Sequence, residues 1–331
     1  MKKIFCTLLC MGGFCASLLI PEGLNAQEKN AIEKSAFWGN SEVYLNKQAF
    51  QMFGLIDQAL TENPPVPGAP MIRKLALYNL DAMLHETRYD DSEPLYGFID
   101  SRINKVIADL SNPVKQGMKV YKIYNDGFVA RTGSVTLAFD VVRGACKGKN
   151  LISDALIQQI VDHCDVLFLT HNHGDHVDPV VVEMFLKAGK PVVASTNILP
   201  DKKGIQHERS DKMIDKKMKL DKNKNIRVKI FPGYQDELMN NIYVVTTDEK
   251  KTVAHIGDQY NKEDMEWIVN IKKDIPQPDA LIVNCWTHRM SDLVDGFNPR
   301  LVVTGHENEM GHTIDHREAF WLTFQKMEQI S

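Results

Sequence analysis

The apolar positions of this 331-residue chain change their spacing twice, and each change marks a different kind of structure. Behind Lys2 and Lys3 they are continuous over residues 4–20, until Pro21, Gly23 and Ala26 interrupt them. Between residues 41 and 110 they recur every three or four positions, which predicts amphipathic helices over 41–60, 71–85 and 92–110. The run Asn63-Pro64-Pro65-Val66-Pro67-Gly68 breaks the first helix, and Ser92 with Pro94 opens the third. From Lys119 the texture is that of strands, predicted over 120–124, 128–131, 134–142, 166–169, 191–194, 226–231, 242–246, 252–256, 280–283 and 301–304. Asn125-Asp126-Gly127 between the first two strands is a hairpin signal. Helices over 151–163 and 180–187 fall between strands, the second opened by Asp178 and Pro179 and closed by Gly189. Strands interleaved with helices predict an α/β fold. The stretch 201–225, crowded with lysines and acids, is expected to be a solvated excursion.

The leading run has the layout of a secretory signal peptide, with cleavage expected between Ala26 and Gln27. The mature chain is therefore expected in the periplasm or outside the cell, and no later stretch is apolar enough to span a membrane. Cys6, Cys10 and Cys15 would leave with the leader. Cys146, Cys164 and Cys285 remain, too few for a disulfide framework, and are expected to be buried thiols. A formal charge of −4 lacks the electrostatic footprint of a nucleic-acid binder, so none is expected as a partner. The expected organisation is a signal peptide over 1–26, a helical N-terminal extension over 27–118 and a main domain over 119–331. No motif gives the extension a function or fixes an oligomeric state.

Chemistry concentrates in Thr170-His171-Asn172-His173-Gly174-Asp175-His176-Val177-Asp178, where a buried strand ends and a helix is about to begin. Imidazole and carboxylate hold zinc, manganese or iron without thiolates. Crowding such groups together makes physical sense when a cation offsets their repulsion and desolvation. Gly174 frees the loop to aim His171 and His173 at one point and Asp175 and His176 at another.

His171-x-His173-x-Asp175-His176 resembles the signature of the metallo-β-lactamase superfamily, over residues 119–331. The resemblance implies a four-layer αββα sandwich and a metal-dependent hydrolase with one or two divalent ions, zinc or manganese. A metal-bound hydroxide would attack an ester, lactone or phosphoester of a small-molecule substrate. It assigns His171, His173, Asp175, His176, Asp258 and His306 as metal ligands. Asp175 becomes the catalytic residue that orients the nucleophile, and Asp140 the carboxylate that orients a ligating histidine. Trp286, His288 and His312 are candidates for lining a pocket, whereas His163, His255 and His316 are expected to be structural.

One departure stands out. The superfamily's third motif places a histidine after the strand 226–231, where this chain has Pro232-Gly233-Tyr234-Gln235-Asp236. Asp236, His207, His312 or water would have to replace it, which points to the lactonase-like branch and to unequal metal sites. Two other outcomes stay open: a β-lactamase, disfavoured by Asp258 where three-histidine β-lactamases of this fold use cysteine, and a non-catalytic metal-binding or ligand-sensing protein with a degenerate site.

Overall fold

The computed structural model describes residues 39–330, other than 67, 69, 209 and 210. The expected signal peptide and its cleavage point at Ala26 lie outside the described residues. Residues 49–330 cluster as one compact unit, and the described part of the other, residues 39–48, holds the opening of the first helix. In chain order, α1 (Ser41–Glu62), α2 (Met71–Leu84) and α3 (Glu93–Leu110) precede strands β1 (Lys119–Tyr124), β2 (Gly127–Arg131) and β3 (Thr136–Phe139). A ribbon of β4 (Ala145–Cys146) and β5 (Lys149–Asn150) leads to α4 (Asp154–His163), β6 (Val166–Leu169), α5 (Pro179–Lys187) and β7 (Val192–Ser195). Then come β8 (Ile205–Glu208), β9 (Ile214–Asp221), β10 (Lys224–Gln235), β11 (Leu238–Thr247) and β12 (Thr252–His255). The short α6 (Met265–Ile268), β13 (Ala280–Asn284), α7 (Met290–Phe297), β14 (Val302–Gly305) and α8 (Phe320–Glu328) complete the chain.

Two six-stranded sheets result, ordered β1-β2-β3-β6-β7-β8 and β14-β13-β12-β11-β10-β9. Alternation along the strands decides how they stack. Phe128, Leu137, Phe139 and Phe168 of the first sheet share one core with Val228, Ile230, Tyr243, Val253 and Ile282 of the second. The opposite side chains of the first sheet, Val129, Ala138, Leu167 and Leu169, pack on α4, α5 and the N-terminal helices through Ile157, Ile160, Phe185, Phe53, Leu95 and Ile103. The outer face of the second sheet, with Ile242, Val244 and Val283, is covered by Met265, Ile268, Leu293 and Phe297. Helix, sheet, sheet, helix is thus the layer order, the expected αββα sandwich.

Three expectations change. The predicted strand 134–142 stops at Phe139, because Asp140 turns to a left-handed φ of 44° and lies buried beyond the strand end. The stretch 201–225 is not a solvated excursion. It supplies β8 and β9, one edge strand for each sheet. On β9 only Met218 is buried while lysines alternate outward, and such charged edges resist pairing with other chains. The strand predicted over 226–231 runs on to Gln235, which sets the phase of the residues at its end.

The parallel strands β3 and β6 of the first sheet and β12, β13 and β14 of the second end near one another. Asn241 N donates to Thr170 O at 2.8 Å, Tyr243 Oη donates to Leu169 O at 2.8 Å, and His171 forms an isolated bridge with Asn240. That junction holds the two sheets together where the polar loops emerge. The loop after β14 is fastened to the helices. Asn308 Nδ2 donates to Asp81 Oδ1 at 2.8 Å, and a buried Arg317–Asp90 pair spans 2.8 Å. Among the described residues no helix is long and apolar enough to cross a membrane. Cys146, Cys164 and Cys285 are free and buried.

Candidate metal centre

Each chemical group arrives at the end of a regular element. His171, His173, Asp175 and His176 leave β6; Asp258 follows β12; Asn284 ends β13; His306 follows β14. Gly257, at φ +55°, makes the turn into Asp258, and a β-carbon there would lie 2.7 Å from Thr170 Oγ1. Glycine is therefore needed both for the turn and for the close approach of the two sheets. His306 itself takes a left-handed φ of 73°, and its N–H donates to Asn125 O at 3.2 Å in the β1–β2 turn.

The predicted ligand atoms fall into two groups that share Asp258, beside a third buried cluster of Asp126, Asp140 and His176. Asp175, His176, Asp258 and His306 form one, and His171, His173 and Asp258 the other, each with its atoms within 4.8 Å of one another. In the first, Asp175 Oδ2 lies 3.2 Å from His176 Nε2 and 3.1 Å from His306 Nε2, and Asp258 Oδ2 lies 3.4 Å from both. In the second, His171 Nε2 lies 3.6 Å from Asp258 Oδ2 and 3.2 Å from His173 Nδ1. Ligands about 2.0–2.1 Å from a divalent ion sit about 2.9 Å apart along an octahedral edge and about 3.4 Å along a tetrahedral one. The spacings match a coordination shell. Moreover, His176 Nε2 and His306 Nε2 are buried with no hydrogen-bond partner, although buried polar atoms are normally satisfied. The residues fit a divalent metal.

Hydrogen bonds on the far side of the rings fix which nitrogen is free. Asp140 is buried and accepts from Thr170 N at 2.9 Å, Thr170 Oγ1 at 2.5 Å and His176 Nδ1 at 2.9 Å. Since the Thr170 proton goes to Asp140, His171 Nδ1 donates to Thr170 Oγ1 at 3.0 Å. Both imidazoles thereby keep a proton on Nδ1, so that Nε2 is the nitrogen offered to a cation, the usual device for orienting ligating histidines. Asp258 is set by Asn284 Nδ2 at 2.6 Å and by its own N–H to Asn240 Oδ1 at 3.2 Å; Asp175 is set by Asn125 Nδ2 at 3.0 Å.

Among protein groups alone, the charges balance within the cluster. Burial would raise Asp175 and Asp258, but the charges of His176 and His306 more than offset it and hold both well below the carboxylate range. Burial likewise disfavours charged His176 and His306, yet the facing carboxylates keep the first well above its ordinary value and push the second to about 10. Two protons thus stand where a cation would compete. His171 differs: burial, and then the charge of His176, push it down to about 3, so it is neutral at working pH.

His173 is exposed and the Asp175 side chain is 21% exposed, so the cluster meets solvent on that side. The Trp286 ring lies 4.8 Å from His306 and stacks on His312 at 5.9 Å, forming one wall. Three of the candidate residues lie elsewhere. Asp236 is exposed at the β10–β11 turn, His207 on β8 bonds Ile198 O at 2.8 Å, and exposed His288 lies beside the Tyr260 ring, 6.1 Å between centroids. His255 is buried against Phe139, as a structural histidine would be.

Sequence reasoning missed Asn125, Asn284, Glu309 and Gln235. Glu309 is buried, with Oε2 3.6 Å from His306 Nδ1 and 3.3 Å from His312 Nδ1, and burial followed by the charge of Asp175 pushes it to about 7. Gln235 Nε2 lies 3.3 Å from Asp258 Oδ2. The signal available was a polar residue closing an apolar strand, which Asn284 shows after Ala280-Leu281-Ile282-Val283.

No protein-family model matches the chain, and no curated protein does. Several solved structures are similar. Igni18, described as a novel metallo hydrolase from Ignicoccus hospitalis, is 17% identical, with 64% of this chain and 91% of that one covered at a TM-score of 0.47. An isothiocyanate hydrolase from Delia radicum gut bacteria is 11% identical over 65% and 93%, TM-score 0.47. A Thermotoga maritima protein described as a zinc-dependent hydrolase of the metallo-β-lactamase superfamily is 13% identical over 63% and 86%, TM-score 0.35. These overlaps are partial, and the fold assignment rests on the chain's own layers and strand order. Two stacked six-stranded sheets, helices outside and the histidine loop at their shared edge, form the αββα sandwich that the resemblance to the metallo-β-lactamase superfamily implies.

Proposed function

We propose that this chain is an exported metal-dependent hydrolase of a small-molecule ester, lactone or phosphoester. The observation that carries the reading is the pair of buried Nε2 atoms of His176 and His306, which face the same carboxylate oxygens of Asp175 and Asp258 at 3.1–3.4 Å without a well-directed hydrogen bond. A divalent ion, zinc or manganese, would lower the pKa of a water to about 7 and polarise the scissile oxygen. The chain's residues do the rest. His171, His173, Asp175, His176, Asp258 and His306 hold the ion or ions. Asp140 and Thr170 keep the imidazole nitrogens free for that task. Asp175, held by Asn125 and open toward solvent, would orient the attacking water. Trp286 and His312 offer a flat wall for the body of a small substrate.

Metal-loaded protein, screened on aryl esters, lactones, phosphodiesters and β-lactams, should turn over at least one of the first three. Asp175→Asn should then lower that rate by about a hundredfold or more, the usual scale of acid–base contributions, with an unchanged circular dichroism spectrum. Equal turnover by the folded variant would sink the role of Asp175. A second reading, metal binding without turnover, draws on the absence of a third-motif histidine among residues 232–236. It predicts bound metal and no hydrolysis across the whole panel. The β-lactamase alternative remains disfavoured by Asp258. Export rests on the leader, and the native protein should begin near Gln27; an intact Met1 in its mass spectrum would reject it.

A further inference from the structure

His171 and His173 offer a metal only two imidazoles and a shared carboxylate, and four groups could complete the set. Three of them lie away from it. Asp236 is exposed at a turn, His207 is engaged with Ile198 O on β8, and His312 packs against Trp286 and Glu309. Gln235, the last residue of β10, is different. Its Nε2 lies 3.3 Å from Asp258 Oδ2, the same oxygen that lies 3.6 Å from His171 Nε2. Its Oε1 is buried and has no hydrogen-bond partner. An amide within hydrogen-bond reach of the shared carboxylate, with its other polar atom unsatisfied, is placed to serve as a ligand.

We propose that Gln235 supplies the third protein ligand of the His171–His173 group through its carboxamide oxygen, with Asp258 shared between the two groups. The inference rests on the cluster holding divalent metal. Facing a carboxylate, the amide presents N–H; facing a cation, only its oxygen has a lone pair to give. A half-turn about the last side-chain bond exchanges the two, because that torsion is broad and two-fold. The 3.3 Å spacing to Asp258 Oδ2 then becomes a ligand–ligand edge, between the octahedral value of about 2.9 Å and the tetrahedral one of about 3.4 Å. A neutral oxygen donor in place of imidazole makes this position weaker for zinc and relatively better for harder ions such as manganese. The other group, with two carboxylates and two imidazoles, keeps the tight ion. The inequality of the two positions thus has a single residue as its cause.

The test is calorimetric titration of the metal-stripped full chain with zinc and, separately, with manganese. Wild type should bind one zinc tightly and a second at least about tenfold more weakly. Gln235→His should tighten the second zinc by about tenfold or more and leave the first unchanged. Gln235→Ala should weaken the second ion by about tenfold with either metal. Circular dichroism establishes folding, and the visible spectrum of the cobalt-substituted protein reports the ligand change independently of activity. A folded Gln235→Ala protein that binds its second ion like wild type overturns the proposal, as do two equally tight zinc ions in wild type. If Gln235→His does not fold, the alanine variant with manganese decides. Failure of the hydrolase reading would look different, with ions bound in this unequal pattern but no turnover, and would leave Gln235 in place as a ligand.

Discussion

Replacing Asp140 with asparagine changes one atom outside the two groups that share Asp258, yet it should disarm both halves of the cluster. Oδ1 of the asparagine can keep the 2.9 Å bond from Thr170 N. The new Nδ2 stands where Oδ2 accepted from Thr170 Oγ1 and His176 Nδ1, and an N–H cannot accept. The threonine hydroxyl must then receive the amide proton and pass its own to His171 Nδ1, 3.0 Å away. His176 Nδ1 must likewise become an acceptor. Both imidazoles are driven to carry their proton on Nε2, the nitrogen that faces the ligand atoms of the cluster. Loss of such an orienting partner usually costs 10–100-fold in metal affinity, or about 1.4–2.7 kcal/mol, and here it acts on both groups. Competition against a chromophoric chelator measures the affinity, and ring nitrogen shifts in labelled protein report the tautomers. A folded Asp140→Asn protein within twofold of wild-type affinity, with both histidines still protonated on Nδ1, would refute this account of the ring orientation.

Other changes separate the parts. His306→Ala should abolish the tight metal, whereas His207→Ala, on an edge strand, should leave metal content unchanged; elemental analysis after dialysis checks both. Because His306 is pushed to about 10 and His176 is also raised, metal uptake near pH 7 should release protons, and apparent affinity should climb with pH until those groups deprotonate. Titration in buffers of different ionisation enthalpy counts the protons, and a pH-independent affinity would contradict the assignment. The linked stability runs the opposite way: in metal-free protein the stabilisation from charged His306 is complete below its ordinary 6.5 and is lost as pH rises through about 10. Arg317→Ala leaves Asp90 buried and unpaired, the two side chains being 4% and 5% exposed, and should cost about 3–5 kcal/mol in denaturant unfolding.

The sequence disclosed the features that are local in it. The histidine loop and the apolar strand that carries it are contiguous, so residue types and order alone pointed to metal chemistry. The polar groups that set the cluster are scattered among the β1–β2 turn, β11, the end of β13 and the loop after β14. Only the sheet order brings Asn125, Asn240, Asn284 and Glu309 to one edge. The residues 232–236 show the limit sharply. A strand's side chains alternate in direction, so an apolar pattern that ends at Phe231 gives no phase for the residues beyond it. Once β10 is seen to continue to Gln235, that side chain reaches Asp258, and its neighbour Asp236 goes to the exposed turn. The edge strands β8 and β9 were hidden by their own protection, since alternating lysines read as a solvated face.

Hydrolysis should depend on metal held by the buried cluster between the sheets. This dependence is tested most directly by stripping the purified protein with chelator, measuring its metal content, and monitoring hydrolysis of the best substrate from the screen as zinc or manganese is returned. The account predicts negligible turnover without metal, recovery as the first equivalent binds, and no recovery in His306→Ala at the same metal concentration. Full turnover by protein shown to be free of metal would contradict it.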